Sequence, residues 1–307
     1  MLSLSPNVSR PSEADTVAGR QAQAAANQQR LAAYHAILDT LCDQLESGRL
    51  HWRHYNSGVK ILATLVRYDQ RLPARAVDIL LASLVHDSLE VRKAAVFAAG
   101  ALLKQQKRRH RLVERAVSRP PPPVQPGNRS DNAWLEYRPE NWPTNRDSWN
   151  KPNYVHKTHH GYYHWPARMM VYAPEWDQPA LDRQPAEMSA EERCFVQFFA
   201  DPQRVDRLIA LLSLEEHKGK DKFDPRKFIL WKGLFRNYGD SCLAVLKPHL
   251  ERLYAAPHES EQRCAAEMLA GLIRGSKHWT WDMTERLWVW LVPVLKNILG
   301  SVTVETM

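Results

Sequence analysis

Apolar residues recur at three- and four-residue spacing along most of the chain, which is the pattern of amphipathic α-helices. The first such run places its apolar positions on one helical face: Leu31, Tyr34, Ile37, Leu38, Leu41 and Leu45. Runs with the same spacing lie at 55–68, after Pro73 and after Ser88. Alternation of apolar and polar residues, which marks a strand, is hard to find. The pattern therefore predicts an all-α fold.

The same periodicity returns in the last third of the chain, after a long interruption. It predicts helices near 189–199, 202–214, 226–236, 241–254, 259–274 and 282–299. Short breaks of Gly, Pro or His separate these helices. The division of the chain follows from these runs: a disordered or weakly helical lead-in over 1–30, helices over 31–118, an insertion over 119–188, and helices again over 189–307.

The insertion differs from the helical regions in composition. It holds 12 of the 20 prolines and five of the 11 tryptophans, namely Trp134, Trp142, Trp149, Trp165 and Trp176. Arg119 is followed by four prolines, a run that cannot be helical and favours a stiff extended segment. So many aromatic residues are unusual in a disordered linker. We therefore expect a long Pro/Trp-rich insertion packed on the helical scaffold.

Two helical segments resemble each other and indicate an internal repeat. With one gap, the segment from His86 to Gly100 aligns with that from His258 to Gly271. The alignment matches Arg92 with Arg263, two Ala-Ala pairs with each other, and the two glycines. An acidic start, an arginine and then small residues are typical of the second helix of a HEAT repeat. The pattern favours a HEAT-like α-solenoid, and a generic helical bundle stays open as the alternative.

Several motifs resemble one known family. They include the runs Ser213–Phe228, Lys232–Asn237 and Gly271–Thr280, and within the insertion Asp131–Leu135. In this succession the chain resembles an internal part of the giant proteasome activators of the PA200/Blm10 family, collinearly over roughly residues 50–306. The resemblance implies a HEAT-repeat scaffold that caps the 20S proteasome core without ATP and opens its gate to peptides and loosely folded proteins.

The family resemblance also implies partners and a location. It implies acetylated histones as substrates, the nucleus and the cytoplasm as location, and inositol polyphosphate as a ligand at basic openings. Members of the family are several times longer and end in a hydrophobic–Tyr–any tripeptide that docks into the core particle. This chain ends in Val304-Glu-Thr-Met307. We therefore expect a scaffold fragment that does not open a gate by itself.

Basic clusters supply the candidate binding residues, in a chain of formal net charge +8 and pI about 9.3. One cluster, between Lys104 and Arg111, ends a helix, where cations complement the helix dipole. The residues predicted to bind polyphosphate form the other two: Lys218, Lys220, Lys222, Arg226 and Lys227, and then Arg274, Lys277 and His278. The loop after Ser213 is the best candidate, because ammonium groups beside free helix amides suit phosphate. A merely solvated surface is the competing interpretation of each cluster.

Nucleic acid is the competing partner class. Basic and aromatic residues interleave at 149–172, as a base-stacking surface requires. No nucleic-acid-binding fold pattern accompanies them, and packing explains the tryptophans, so nucleic acid is not the expected partner. The alternative function is a HEAT-repeat scaffold that binds nucleic acid or histones without proteasome activity.

Motifs of catalysis and metal binding are missing. The sequence contains no GxSxG, HExxH, P-loop or GxGxxG motif, so we expect no enzyme and no required cofactor. A histidine cluster (His156, His159, His160 and His164) suggests zinc, yet no cysteine lies nearby to complete a site. We expect these histidines to be structural. The four cysteines are widely spaced and no apolar run has membrane length, which favours reduced thiols in an intracellular protein with no membrane partner.

Overall fold

The computed structural model describes residues 13–116, 168–214 and 222–301. Ten α-helices form most of these residues: α1 Glu13–Glu46, α2 Trp52–Thr64, α3 Ala74–Ala82, α4 Leu89–Gln105, α5 Ala190–Ala200, α6 Pro202–Leu212, α7 Pro225–Tyr238, α8 Leu243–Tyr254, α9 Glu259–Gly275 and α10 Trp281–Ser301. Two short strands complete them, β1 Leu112–Ala116 and β2 Arg168–Tyr172. The predicted all-α fold is confirmed.

The described residues fall into two compact units. The helical unit runs to Arg108 and resumes at Ala180, and the second unit lies between them. In the second unit β1 pairs antiparallel with β2, with Leu112 opposite Tyr172. An ion pair from Arg111 to Asp177 (2.7 Å) lies beside this pairing.

The strand β1 corrects the prediction of helices up to residue 118. Helix α4 ends at Gln105, and five consecutive basic residues follow from Lys107 to Arg111. Like charges three and four positions apart destabilise a helix, so the chain leaves the helical conformation there. The β-branched Val113 then pairs with Val171 in the ladder.

Helix α1 begins at Glu13, so of the two states predicted for the lead-in, disordered or weakly helical, the described residues adopt the helical one. Its first turns are rich in Ala and Gln, which have high helix propensity even without burial. Gln23 donates a side-chain hydrogen bond to Asn27 one turn later (3.1 Å), which adds local support. Buried residues appear only from Tyr34 onward, so the early turns are helical by propensity and the later ones by packing.

Helices of the helical unit stack in two layers. One layer is formed by α2, α4, α7 and α9, each packed on the next, and we call it the second-helix layer. The other contains α1, α3, α5, α6 and α8, and within helix pairs α3 packs on α4 and α8 on α9. Alternation between two stacked layers is the arrangement of HEAT repeats, so the HEAT-like α-solenoid prediction is confirmed.

The core lies between the two layers and is aromatic at its centre. Trp231 on α7 is fully buried, and Phe195, Phe198 and Phe199 on α5 are at most 1 % exposed. The rings of Phe199 and Trp231 meet edge to face, with centroids 6.1 Å apart.

Side chains cap the starts of two helices. Ser189 and Glu192 form a capping box at α5, and Asp201 accepts a hydrogen bond from Gln203 N (3.0 Å) at α6.

Residues 119–167 of the predicted insertion lie outside the described residues, so its packing on the scaffold stays a prediction. Its described end contains β2 and two single-turn helices, Glu175–Asp177 and Pro185–Glu187. Helix α5 then begins at Ala190, next to the predicted restart at 189.

Candidate functional site

Glycines bring α4, α7 and α9 into close contact. A Cβ added at Gly233 of α7 would lie 2.7 Å from the Cβ of Leu103 on α4. A Cβ added at Gly271 of α9 would overlap Trp231 and lie 2.9 Å from the backbone nitrogen of Lys232. Further along α9, Gly275 meets Phe235 in the same way. In each pair of neighbouring helices, positions further along one helix contact positions further along the other. The three helices therefore run parallel, and their corresponding ends lie at common edges.

The C-terminal edge of these helices gathers cations into what we call the basic cluster: Lys104 on α4, Lys107 just after it, Lys232 and Arg236 on α7, and Arg274 on α9. The pKa of Lys232 is lowered, first by burial and then by repulsion from the other four cations. No ion pair joins any of the five to another residue of the described ranges. The cluster is therefore a local excess of positive charge.

Aromatic rings and carbonyl groups hold part of the basic cluster in place. The Lys104 ammonium lies 5.0 Å from the ring centroid of Tyr68, and that of Lys232 lies 5.5 Å from Phe228. Arg236 donates a hydrogen bond to the carbonyl oxygen of Leu103 at the end of α4 (3.3 Å). These contacts orient the cations without neutralising their charge.

The opposite, N-terminal edge of α7 contains part of the predicted polyphosphate loop. Lys218 and Lys220 lie outside the described residues, whereas Lys222 and Arg226 are exposed. Asp224 caps the helix and accepts from the Arg226 backbone nitrogen (2.8 Å). Lys227 corrects the sequence prediction, because it is 4 % exposed and its ammonium donates to the Leu212 carbonyl oxygen (3.5 Å). Helical periodicity turns Lys227 inward, where its position beside Arg226 in the sequence had suggested a ligand-facing side chain.

Buried charges on α9 fasten the described ends of this loop. Arg263 donates to the carbonyl oxygens of Leu212 and Leu214, both at 3.1 Å. Glu267 is fully buried and accepts from the Asp224 backbone nitrogen at 2.7 Å and from Arg263 at 3.4 Å. Burial raises the pKa of Glu267. We call Arg263 and Glu267 the α9 clasp, since they hold the chain on both sides of 215–221.

A small cavity lies where the N-terminal ends of α4 and α7 meet. Its volume is about 20 Å³, and its polar lining is basic apart from Asp224: Arg92, Lys93, Arg226 and Lys227. A cavity of this size holds one water molecule. An anion larger than water would therefore contact the exposed mouth of this site rather than its interior.

The structure separates those predicted polyphosphate residues that it describes. From Arg226 to Arg236, α7 rises about 15 Å at 1.5 Å per residue, so Lys222 and Arg226 lie near one end of the helix and Arg274 lies near the other. Lys277 is exposed and His278 half-buried in the single turn Ser276–His278 after α9. The sequence analysis missed Lys232 and Arg236, although their four-residue spacing places them on one helical face.

The cysteines and the clustered histidines are the remaining candidates for reactive or metal-binding chemistry. All four cysteines are free thiols and buried, and burial raises the pKa of Cys242 to about 11 and that of Cys264 to about 12. The four clustered histidines from His156 to His164 lie outside the described residues. Within the described ranges, no three His, Cys, Asp or Glu side chains are grouped to hold a metal ion. Among the described helices, none combines the length and the apolar character needed to cross a membrane.

Comparison with known proteins gives one family throughout. A family model described as "Proteasome activator complex subunit 4-like, HEAT repeat-like" matches residues 75–307. Proteasome activator complex subunit 4 of Bos taurus and that of Homo sapiens are each 45 % identical to the chain over 293 residues, which is 94 % of the chain and 16 % of the relative. Proteasome activator complex subunit 4B of Danio rerio is 42 % identical over 306 residues, 98 % of the chain and 17 % of the relative. The chain thus spans about a sixth of the length of these relatives.

Proposed function

Since the chain belongs to the family of proteasome activator complex subunit 4-like HEAT-repeat proteins, we propose that it is a scaffold segment of an activator that caps the 20S proteasome without ATP and opens its gate. The observation that carries this proposal is the extent of the match. Identity of 45 % covers 94 % of the chain, and the family model spans α3 to α10.

The architecture supports a mechanical role within such an activator. In the second-helix layer, glycines at Gly233 and Gly271 allow backbone contact between neighbouring helices. Such contacts fix the spacing of successive repeats, and a stack of repeats transmits that spacing along its length. We propose a scaffold without catalysis, whose contribution is the relative placement of surfaces.

Inositol polyphosphate is the ligand that we propose for the mouth of the basic cavity at the start of α7. Two helix N-termini meet there, and their dipoles favour phosphate. Lys222 and Arg226 are exposed beside this opening, and Lys218 and Lys220 precede them in the chain. Kinship with the family further motivates acetylated histones as substrates and the nucleus and cytoplasm as the location.

Association with the core particle tests the proposed function. We would replace the matching segment of the human relative with this chain and follow sedimentation with purified 20S proteasome in the absence of ATP. We expect the chimera to cosediment with the core, because the match to the relative covers 94 % of the chain.

A different result would favour the alternative scaffold function. If the chimera folds with a cooperative melt but does not cosediment, the proposal is wrong. If the chain instead binds DNA with an affinity that falls steeply with salt, a nucleic-acid-binding scaffold is favoured. Stimulation of the core by the isolated chain would place the gate-opening contact within these 307 residues.

A further inference from the structure

The basic cluster carries more charge than the helix ends beneath it require. Each helix C-terminus is equivalent to roughly −0.5 elementary charge, so α4, α7 and α9 together supply about −1.5. Five cations oppose that charge: Lys104, Lys107, Lys232, Arg236 and Arg274. Dipole compensation therefore leaves an excess of about +3.5, which favours an anionic partner.

Exposed apolar side chains lie beside the basic cluster on the same helix faces. Phe97 precedes Lys104 by seven residues on α4, and Ile229 precedes Arg236 by seven on α7, a spacing that keeps both members of each pair on one face. Phe97 is 54 % exposed and Ile229 is 44 % exposed. Because Gly100 lies against Ile229, the two apolar side chains are on neighbouring parts of adjacent helices. An apolar strip thus borders the cations.

The dimensions of this surface suit an extended chain. Axes of packed helices are about 8–10 Å apart, so α4, α7 and α9 spread the cations over about 16–20 Å. An extended polypeptide advances about 3.3 Å per residue, so five or six residues span the cluster. A compact phosphate ligand would leave the apolar strip uncovered.

We propose that the second-helix layer binds an acidic polypeptide segment in extended conformation at this surface. Its carboxylates pair with the basic cluster, and its apolar side chains cover Phe97 and Ile229. Charge complementarity selects this occupant over a neutral or basic segment. This surface goes beyond the proposed function and does not depend on gate opening, because it consists of residues on α4, α7 and α9 together with Lys107 directly after α4.

Repulsion within the cluster gives such a partner an additional effect. Burial lowers the pKa of Lys232, and repulsion from the four neighbouring cations lowers it further. A carboxylate placed among the cations removes that repulsion. Binding of an acidic segment should therefore raise the pKa of the Lys232 ammonium.

Fluorescence anisotropy of the 307-residue chain tests the proposal. The probe is a fluorescein-labelled peptide of about twelve residues built from Glu-Glu-Leu repeats, long enough to span the surface at about 3.3 Å per residue. We expect it to bind, and a Gln-Gln-Leu peptide not to bind. The triple variant Lys104→Gln, Lys232→Gln, Arg274→Gln should weaken binding by about tenfold or more, because it removes three of the paired charges.

A matched control removes the same charge elsewhere. Arg49, Arg53 and Arg71 are exposed and lie outside the cluster, so their replacement by Gln should change affinity by less than about twofold. Circular dichroism melts establish that both triple variants fold. If a triple variant does not fold, Phe97→Ser gives a separate test. This substitution should weaken binding of the Glu-Glu-Leu peptide and leave binding of a Glu-Glu-Ser peptide unchanged. If each peptide binds Phe97→Ser as tightly as it binds the unaltered chain, the proposed apolar contact is contradicted.

Competition with other anions decides the occupant. Two competitors are compared: inositol hexakisphosphate, and a single-stranded oligonucleotide with the same net charge as the peptide. Both should displace the peptide only weakly. Equal losses in the two triple variants would reduce the interaction to net charge and overturn the proposal. The proposal would also be overturned if the peptide does not bind, whereas inositol hexakisphosphate or the oligonucleotide does bind and loses affinity in the Lys104, Lys232, Arg274 variant.

Discussion

Two buried arginines at matching repeat positions satisfy backbone carbonyls in different ways. Arg92 on α4 donates to the carbonyl oxygens of His86 (2.8 Å) and Asp87 (2.7 Å), which precede its own helix. Arg263 on α9 donates instead to residues at the end of α6. Both side chains are at most 8 % exposed. The shared arginine thus serves loop closure in both repeats, but only the structure identifies the loop.

Gly271 should be the position of the helical unit least tolerant of a methyl group. In a helix, Gly→Ala usually stabilises by about 1 kcal/mol. At Gly271 the new Cβ would overlap Trp231, and close packing leaves the backbone of α7 little room to move. We expect Gly271→Ala to lower the free energy of unfolding by about 2 kcal/mol, measured by urea denaturation.

The same substitution at Gly19 is the control for Gly271→Ala. Gly19 lies in α1 with nothing within 4 Å of an added Cβ, so Gly19→Ala should stabilise or have no effect. Equal effects of the two substitutions would show that close approach of α7 and α9 does not limit stability.

At the scale of elements, periodicity and capping residues predicted the helices well. Helices α5 to α10 begin and end within a few residues of the predicted bounds, because local sequence determines both the apolar stripe and the caps. The pairing of β1 with β2 was not predictable, since its partners are separated by more than 50 residues of sequence. The basic cluster was missed for the same reason: its cations come from three helices that only tertiary stacking brings together.

The α9 clasp should stabilise the helical unit through the Glu267 carboxyl group. Glu267→Ala removes the carboxylate partner of Arg263 and the acceptor for the Asp224 N–H, and should cost about 3 kcal/mol of unfolding free energy. Glu267→Gln keeps an acceptor oxygen without a buried charge, so it should cost clearly less. Denaturant titration of the three proteins measures the difference.

The pH dependence of the clasp has a definite sign. Burial raises the pKa of Glu267 in the folded chain, so between its ordinary pKa and the folded pKa the folded state binds more protons than the unfolded state. The unfolding free energy of the unaltered chain should therefore fall, relative to that of Glu267→Gln, as pH rises through that interval. If the unfolding free energy of the unaltered chain instead rises or stays constant relative to that of Glu267→Gln, the folded state does not disfavour the carboxylate form.

At the scale of the whole molecule, helix α10 exposes large apolar side chains: Val289 is 73 % exposed and Leu299 is 74 % exposed. Helical repeats bury such faces against adjacent repeats, and uncovered apolar faces associate. We expect the isolated chain to self-associate with rising concentration, as measured by sedimentation velocity.

Substitution on α10 should relieve this association. Val289→Gln with Leu299→Gln should shift the chain toward monomer, whereas Val17→Gln with Ile37→Gln, two exposed positions on α1, should not. A chain that is monomeric at all concentrations before any substitution would show that the face of α10 does not drive association.

Hydrolysis of a fluorogenic peptide by the 20S proteasome tests the central claim most directly. The activator to be measured is the human relative in which this chain replaces the matching segment, with the unaltered relative as reference. If the chain is an interchangeable part of the activator scaffold, the chimera should stimulate hydrolysis as strongly as the reference does. A chimera that melts cooperatively and binds the core but leaves hydrolysis at the rate of the core alone would contradict that account.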